Sequence, residues 1–157
     1  MSVAPFVASP LTVVRQMLVL SGLKQDEILY DLGSGDGRVA IMAAQEFGAK
    51  SVGIELQRDL VKRAVEKISK LNLENRVKIV NNNFFKVDIA SADVITLYLT
   101  TSANTKIKPK LESELKPGAR VVSHDYEIVG WKPIKIDKFC ENPALGYPMH
   151  TLYVYKR

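Results

Sequence analysis

The sequence contains one cysteine, Cys140, among 157 residues. An intramolecular disulfide is therefore impossible, and stability has to come from a packed core. There are only two histidines, His124 and His150, set in different predicted elements, and no Cys/His cluster has metal-ligand spacing. No metal is expected. No apolar run approaches the roughly 20 residues that cross a bilayer, so no membrane segment is expected. The opening MSVAPFVASP lacks the basic start and long apolar stretch of a signal peptide. With the lone cysteine, this favours a cytoplasmic, reducing setting. Repeats and low-complexity segments are absent. Charge is not gathered into a block either: Lys and Arg total 22 against 17 Asp and Glu, a net charge of +5 spread over several predicted helices. Such a balance can steer the chain toward nucleic acid or an acidic protein face, and it describes an ordinary solvated surface equally well.

What is present is the material of one globular domain. Apolar residues make up 46%, and a chain of this length buries roughly 70% of its unfolded surface. The spacing of Leu11, Val14, Met17 and Leu18 predicts a first helix that stops at Gly22. A strand at 28–32, a glycine turn, a helix at 38–47 and a strand at 51–55 then form a βαβ unit. Leu60, Ala64, Ile68 and Leu71 mark one face of an amphipathic helix. Strands are expected at 77–80 and, as a continuous apolar run of the kind buried in a parallel sheet, at 94–99, with little between them. Ile107, Leu111 and Leu115 predict a helix bent or restarted at Pro109 and ended by Lys116-Pro117-Gly118. A fifth strand at 119–123 precedes two more, at 131–139 and 151–155, which have no helix between them and should pair antiparallel at one edge.

The run Tyr30-Asp31-Leu32-Gly33-Ser34-Gly35-Asp36-Gly37 lies between a predicted strand and a predicted helix, the setting in which a glycine-rich turn is informative. Glycines let the backbone turn sharply and lie against a ligand, while free amides at the helix start offer donors. Arg38 stands where a dinucleotide fingerprint has its third glycine, which argues against NAD. Glu55 ends the next strand, eighteen residues after Gly37, where a carboxylate can accept both hydroxyls of a ribose. Each piece has an ordinary reading, a tight turn and an exposed acid; together they favour a nucleoside site.

YDLGSGDGRVAIMAA followed by SVGIEL resembles the first two motifs of class I S-adenosylmethionine methyltransferases. The resemblance implies an α/β, Rossmann-like fold over 1–157: a seven-stranded, mostly parallel sheet with an antiparallel edge hairpin and helices on both faces. Residues 1–27 would be a loop and helix covering the cofactor, and 28–157 the core. By the same likeness Asp31, Gly33, Ser34, Gly35 and Gly37 surround the methionine part of S-adenosyl-L-methionine, and Glu55 binds its ribose. Asn83 stands where the third motif has an acid for the adenine amino group, and Phe84 would pack on the adenine. APFVASPLTVV and VITLYLTTSANTKIKPKLESELKPGARVVSHDY resemble the small archaeal protein lysine methyltransferases, the non-SET histone lysine methyltransferases and the mitochondrial lysine methyltransferases that modify an ATP synthase subunit. The first run corresponds to a loop over the cofactor, which adds Phe6 and Ser9 to the expected cofactor contacts.

In an open parallel sheet the ligand lies outside the carboxyl ends of the strands, where strand order reverses. That selects Tyr98, His124 and Asp125 as candidates for the reacting site, with Thr100, Thr101 and Tyr126 nearby. Tyr98 could instead be a core aromatic, and His124 could simply hydrogen-bond backbone. Asn104 suits either substrate backbone or a helix cap, and Trp131 is expected to pack under the terminal strands. Tyr98-Leu99-Thr100-Thr101 replaces the Asn/Asp-Pro-Pro-aromatic run of amide and exocyclic-amine methyltransferases, which makes base methylation less fitting. The expected activity is methyl transfer to lysine amines of several proteins, nucleic-acid-associated ones among them, by a monomer. The rivals are an RNA or small-molecule methyltransferase and, from another class, a non-catalytic nucleic-acid-binding module.

Overall fold

A computed structural model describes residues 6–157; residues 1–5, the start of the expected covering segment, lie outside the described residues. The elements are α1 (Leu11–Ser21), β1 (Ile28–Leu32), α2 (Arg38–Phe47), β2 (Lys50–Glu55), α3 (Arg58–Lys70), β3 (Val77–Asn81), a 3-10 turn (Phe84–Lys86), β4 (Val94–Leu97), α4 (Thr101–Glu114), β5 (Arg120–His124), β6 (Lys135–Cys140) and β7 (Met149–Lys156). Seven strands form one sheet in the order β3-β2-β1-β4-β5-β7-β6. The first five are parallel, and β7 and β6 close the edge antiparallel. Strand order reverses between β1 and β4, the place where open α/β sheets bind ligands.

Alternation along the strands assigns the helices to faces. Leu29 of β1 and Val94 of β4 pack with Val14 and Leu18 of α1 and Val39, Met42 and Ala43 of α2. Ala40, Ile41 and Ala44 turn toward Ile68 of α3 and Val77 of β3. Leu32, Ile95 and Leu97 point the other way, onto Ile107 and Leu111 of α4, with Ile54, Val121 and Tyr155. Val13 and Met17 of α1 cover Val122, Leu152 and Val154. Every residue of β4 is buried, as its uninterrupted apolar run predicts. Burying one such side chain contributes roughly 1.5–3 kcal/mol.

Three expectations change. The helix at α4 is one element that runs through Pro109 without restarting, and it begins at Thr101, where the Thr100 side chain accepts from the Ala103 amide at 3.0 Å and caps it. Asn104 is neither a cap nor a surface contact. It is fully buried, and its Nδ2 donates to Ser123 Oγ and to the carbonyls of Tyr126 and Glu127, so it fastens the turn after β5 to α4. Trp131 precedes β6 instead of starting it. Its ring meets Tyr155 edge-on at 5.6 Å, Nε1 donates to Glu112, and Arg157 lies over its face. Proline at 133 defers the ladder to Lys135.

Candidate active site

The C-terminal ends of β1 and β4 open into a cleft of about 310 Å3 that also faces solvent. Asp31, Gly33, Ser34, Asp36, Arg38 and Val39 line one side, Tyr98 another, and the segment from Phe6 to Ser9 covers it. The glycine loop is shaped by its backbone: Gly33, Gly35 and Gly37 have φ of 82°, 57° and 84°, values that residues with a Cβ adopt only under strain. At Gly35 a Cβ would also meet the Phe6 ring, which lies directly against it. Gly37 serves packing rather than the cleft, since a Cβ there would come within 3.1 Å of Ala64 Cβ on α3.

Glu55 stands behind this loop, buried, with Oε1 accepting from the Gly35 amide at 2.8 Å and Oε2 from the Gln57 amide at 2.9 Å. Its backbone is braced by the asparagine run: Asn81 Nδ2 donates to the carbonyls of Glu55 and Leu56. Asn83 closes its own turn, its Oδ1 accepting from the Phe85 amide at 2.9 Å. The Phe84 ring sits in the sheet core, beneath Gly33 and 5.0 Å from Phe85. Of the residues expected at the cofactor, Phe6, Ser9, Asp31, Gly33 and Ser34 therefore border the cleft itself. Gly35 lies under Phe6, Glu55 behind the loop, Gly37 against α3, and Asn83 and Phe84 beyond β3.

Asp31 is the electrostatic centre. Thr96 Oγ1 donates to it at 2.8 Å, yet burial pushes its carboxyl up to about 7, with the charges of Glu55 and Asp36 adding to the rise. Asp36 shows the opposite balance: burial alone would raise it, but the Arg38 guanidinium, bonded to both its oxygens at 2.8 and 3.1 Å, holds it below the usual carboxylate range. Arg38 also donates to the Ser9 carbonyl at 3.0 Å, tying the covering segment to the start of α2. The sequence carries one signal for this residue, a bulky cation where a dinucleotide fingerprint has its third glycine.

Tyr98 borders the cleft and stacks on His124 at 3.8 Å, with Tyr126 6.3 Å away. Burial first, then Asp125 and Tyr126, push its hydroxyl above the usual tyrosine range. His124 is fully buried behind that ring, and burial drives its imidazole down to about 4. It reaches the cleft only through Ser9, whose Oγ lies 2.8 Å from Nδ1. Asp125 takes a positive φ of 64° and ties β5 to β7 through Thr151, leaving Oδ2 3.4 Å from His124 Nε2. The two histidines do occupy different elements, but β5 and β7 are neighbours, and the rings meet with Nε2 of His124 2.8 Å from Nδ1 of His150. Ligand atoms of His124, Asp125 and His150 lie within 4.8 Å of one another, a grouping that spacing along the chain concealed. Among the described residues no helix is long and apolar enough to cross a membrane.

Comparison with known proteins gives this geometry its class. Residues 31–135 match the family model described as the ANTKMT methyltransferase domain. A protein-lysine N-methyltransferase of Saccharolobus islandicus is 47% identical over 96% of this chain and 92% of its own length. The adenine nucleotide translocase lysine N-methyltransferase of Mus musculus is 29% identical over 93% of this chain and 63% of its own. An RNA methyltransferase from Salinibacter ruber, solved with S-adenosyl-L-homocysteine, superposes with a TM-score of 0.88 at 39% identity, covering 96% of this chain and 93% of that one. Its ligand is the demethylated form of S-adenosylmethionine, which is the cofactor of this chain. On this match of sequence, sheet order and cleft, the chain belongs to the ANTKMT methyltransferase domain family of class I methyltransferases, which it shares with protein-lysine N-methyltransferases.

Proposed function

We propose that this enzyme methylates the side-chain amine of lysines exposed on several different proteins. The observation that carries the reading is Tyr98, which borders the cleft beside Asp31 at the point where strand order reverses; the relative that is 47% identical and named for protein lysine supports it. Only the short turn at Phe84–Lys86 lies between β3 and β4. With so little built over that side, the cleft can be approached by a folded protein.

The residues fit the cofactor on their own terms. The buried Ser34 hydroxyl at the cleft has no partner among the described residues, and Asp31 offers a carboxyl to a cationic group. Glu55 is the residue assigned to the ribose, its carboxylate held behind the loop by the Gly35 and Gln57 amides. When bound, S-adenosylmethionine supplies a methyl group on a positively charged sulfur. The protein has to deliver a neutral amine in line with it. A free lysine has a pKa of about 10.4, so only about one in two thousand is neutral at pH 7. The Tyr98 ring at the cleft desolvates the amine and favours its neutral form. Alignment alone can lower the barrier by roughly 7–11 kcal/mol. The lone Cys140, a free thiol, supports a reducing, cytoplasmic location as part of this reading.

The test is incubation of the enzyme with labelled cofactor and separate protein and RNA extracts, followed by mass spectrometry of labelled lysines. Label on lysines of many proteins is expected. Label on one protein removes the breadth, and ribonuclease-sensitive label establishes the second reading, RNA methylation. That second reading is favoured by the Salinibacter ruber structure and by the net charge of +5.

A further inference from the structure

Starting from Ser9 at the cleft, four side chains form one directed chain of hydrogen bonds. Ser9 Oγ lies 2.8 Å from His124 Nδ1, His124 Nε2 lies 2.8 Å from His150 Nδ1, and His150 Nε2 lies 2.6 Å from Glu141 Oε2. The proton positions follow from the outer end inward. A carboxylate only accepts, so His150 Nε2 carries the hydrogen and Nδ1 presents its lone pair. His124 must then donate from Nε2, and its Nδ1 accepts from the Ser9 hydroxyl. Every donor points outward, and exposure of the side chains rises along the same line, from 0% at His124 to 11% at His150 and 25% at Glu141. The groups facing this line are Asp125, with Oδ2 at 3.4 Å from His124 Nε2 and 3.9 Å from His150 Nδ1, and the stacked Tyr98.

We propose that Ser9, His124, His150 and Glu141 are a proton relay that carries the proton lost by the acceptor ammonium from the cleft to the surface. The inference rests on the lysine reading. A lone pair of Ser9 Oγ takes the proton as the N–H bond of the ammonium breaks, leaving the amine its electron pair. The Ser9 hydroxyl proton passes to His124 Nδ1, the Nε2 proton of His124 to His150 Nδ1, and the Nε2 proton of His150 to the Glu141 carboxylate, which releases it to water. Each residue ends with the atoms it began with after the hydrogens rotate or return. His124 stays neutral between turnovers, which suits its burial. Ser9 belongs to the covering segment that Arg38 anchors, so the relay is continuous only while that segment lies over the cleft. Proton removal is thereby coupled to the position of the covering segment.

The experiment is single-turnover methylation of a lysine-bearing protein across pH 6 to 10 by wild type, Glu141→Gln and His150→Ala, with thermal melting as a check on folding. Glu141→Gln should lose about tenfold or more in rate at pH 7 and regain it as pH rises toward the lysine's own pKa, with cofactor affinity unchanged. Imidazole in the buffer should restore part of the rate of folded His150→Ala. Profiles that superimpose on wild type, or a uniform loss at every pH with no imidazole rescue, overturn the relay while leaving lysine methylation intact. Absence of label from lysine in the wild type overturns the acceptor reading and the relay with it.

Discussion

Asp31 of β1 accepts a hydrogen bond from Thr96 of β4 at 2.8 Å, across the two strands between which the sheet order reverses. Both residues are buried. The bond fixes the carboxyl at the mouth of the crevice, where a single charge has the largest effect on what can bind.

Its pH behaviour follows. The carboxyl's folded value, about 7, lies above its ordinary 3.8, because burial penalises its charge. Its contribution to stability is then full below pH 3.8 and is lost as pH rises through about 7. A cationic cofactor favours the ionised form, so affinity for S-adenosylmethionine should rise between pH 6 and 8, with release of a proton on binding. Calorimetry in buffers of different ionisation enthalpy measures this. Asp31→Asn should flatten the pH dependence, weaken binding, and raise the melting temperature of the cofactor-free protein at pH 8.

Glu55→Gln leaves the bulk of the side chain but replaces one accepting oxygen with a donor. The Gly35 amide and the Gln57 amide each use one oxygen of the carboxylate, so one of them must lose its partner. Cofactor affinity should fall by about tenfold or more, equivalent to at least about 1.4 kcal/mol, as read by calorimetry.

Gly53, in the middle of β2, touches the site only through Ser34. A Cβ built on it would lie 2.7 Å from both Cβ and Oγ of that serine, so Gly53→Ala must push the glycine loop outward. The expected loss is about 1–3 kcal/mol of stability together with weaker cofactor binding. Denaturant unfolding and calorimetry on the same variant check both.

Tyr98→Phe keeps the ring on His124 and the wall of the cleft, whereas Tyr98→Ala removes both. Phenylalanine should retain methyl transfer within about fivefold, since the hydroxyl is neutral throughout the working range, and alanine should lose well over about tenfold. If the phenylalanine variant falls as far as the alanine variant, the tyrosine hydroxyl has a chemical part that stacking does not explain.

Asn104→Ala tests a structural assignment. The fully buried amide donates to three acceptors beneath the turn after β5, so its removal should destabilise the fold by about 1–3 kcal/mol. Cofactor affinity at low temperature should change little.

The parallel half of the sheet, the glycine loop and Glu55 were legible because their signals are local. A continuous apolar run, a 3.6-residue stripe and a glycine turn between strand and helix are each imposed by backbone geometry within a few residues. The start of α4 was not legible, because polar Thr101, Ser102 and Thr105 carry no apolar stripe there and only the Thr100 cap announces the helix. Asn104 and Trp131 were misjudged for a related reason: each acts on a partner fixed by packing, and nothing near it in the chain names that partner.

Sequence by itself determined the order of elements, the glycine turn between β1 and α2 and the acid that ends β2. Tertiary structure decided what the remaining polar residues do. His124 and His150 are twenty-six positions apart in the chain and become neighbours because β7 returns antiparallel beside β5. Ser9 joins them from the far end of the chain. Hydrogen bonds act over about 3 Å, so a constellation of this kind exists only after strand pairing and loop closure have brought distant residues to that range.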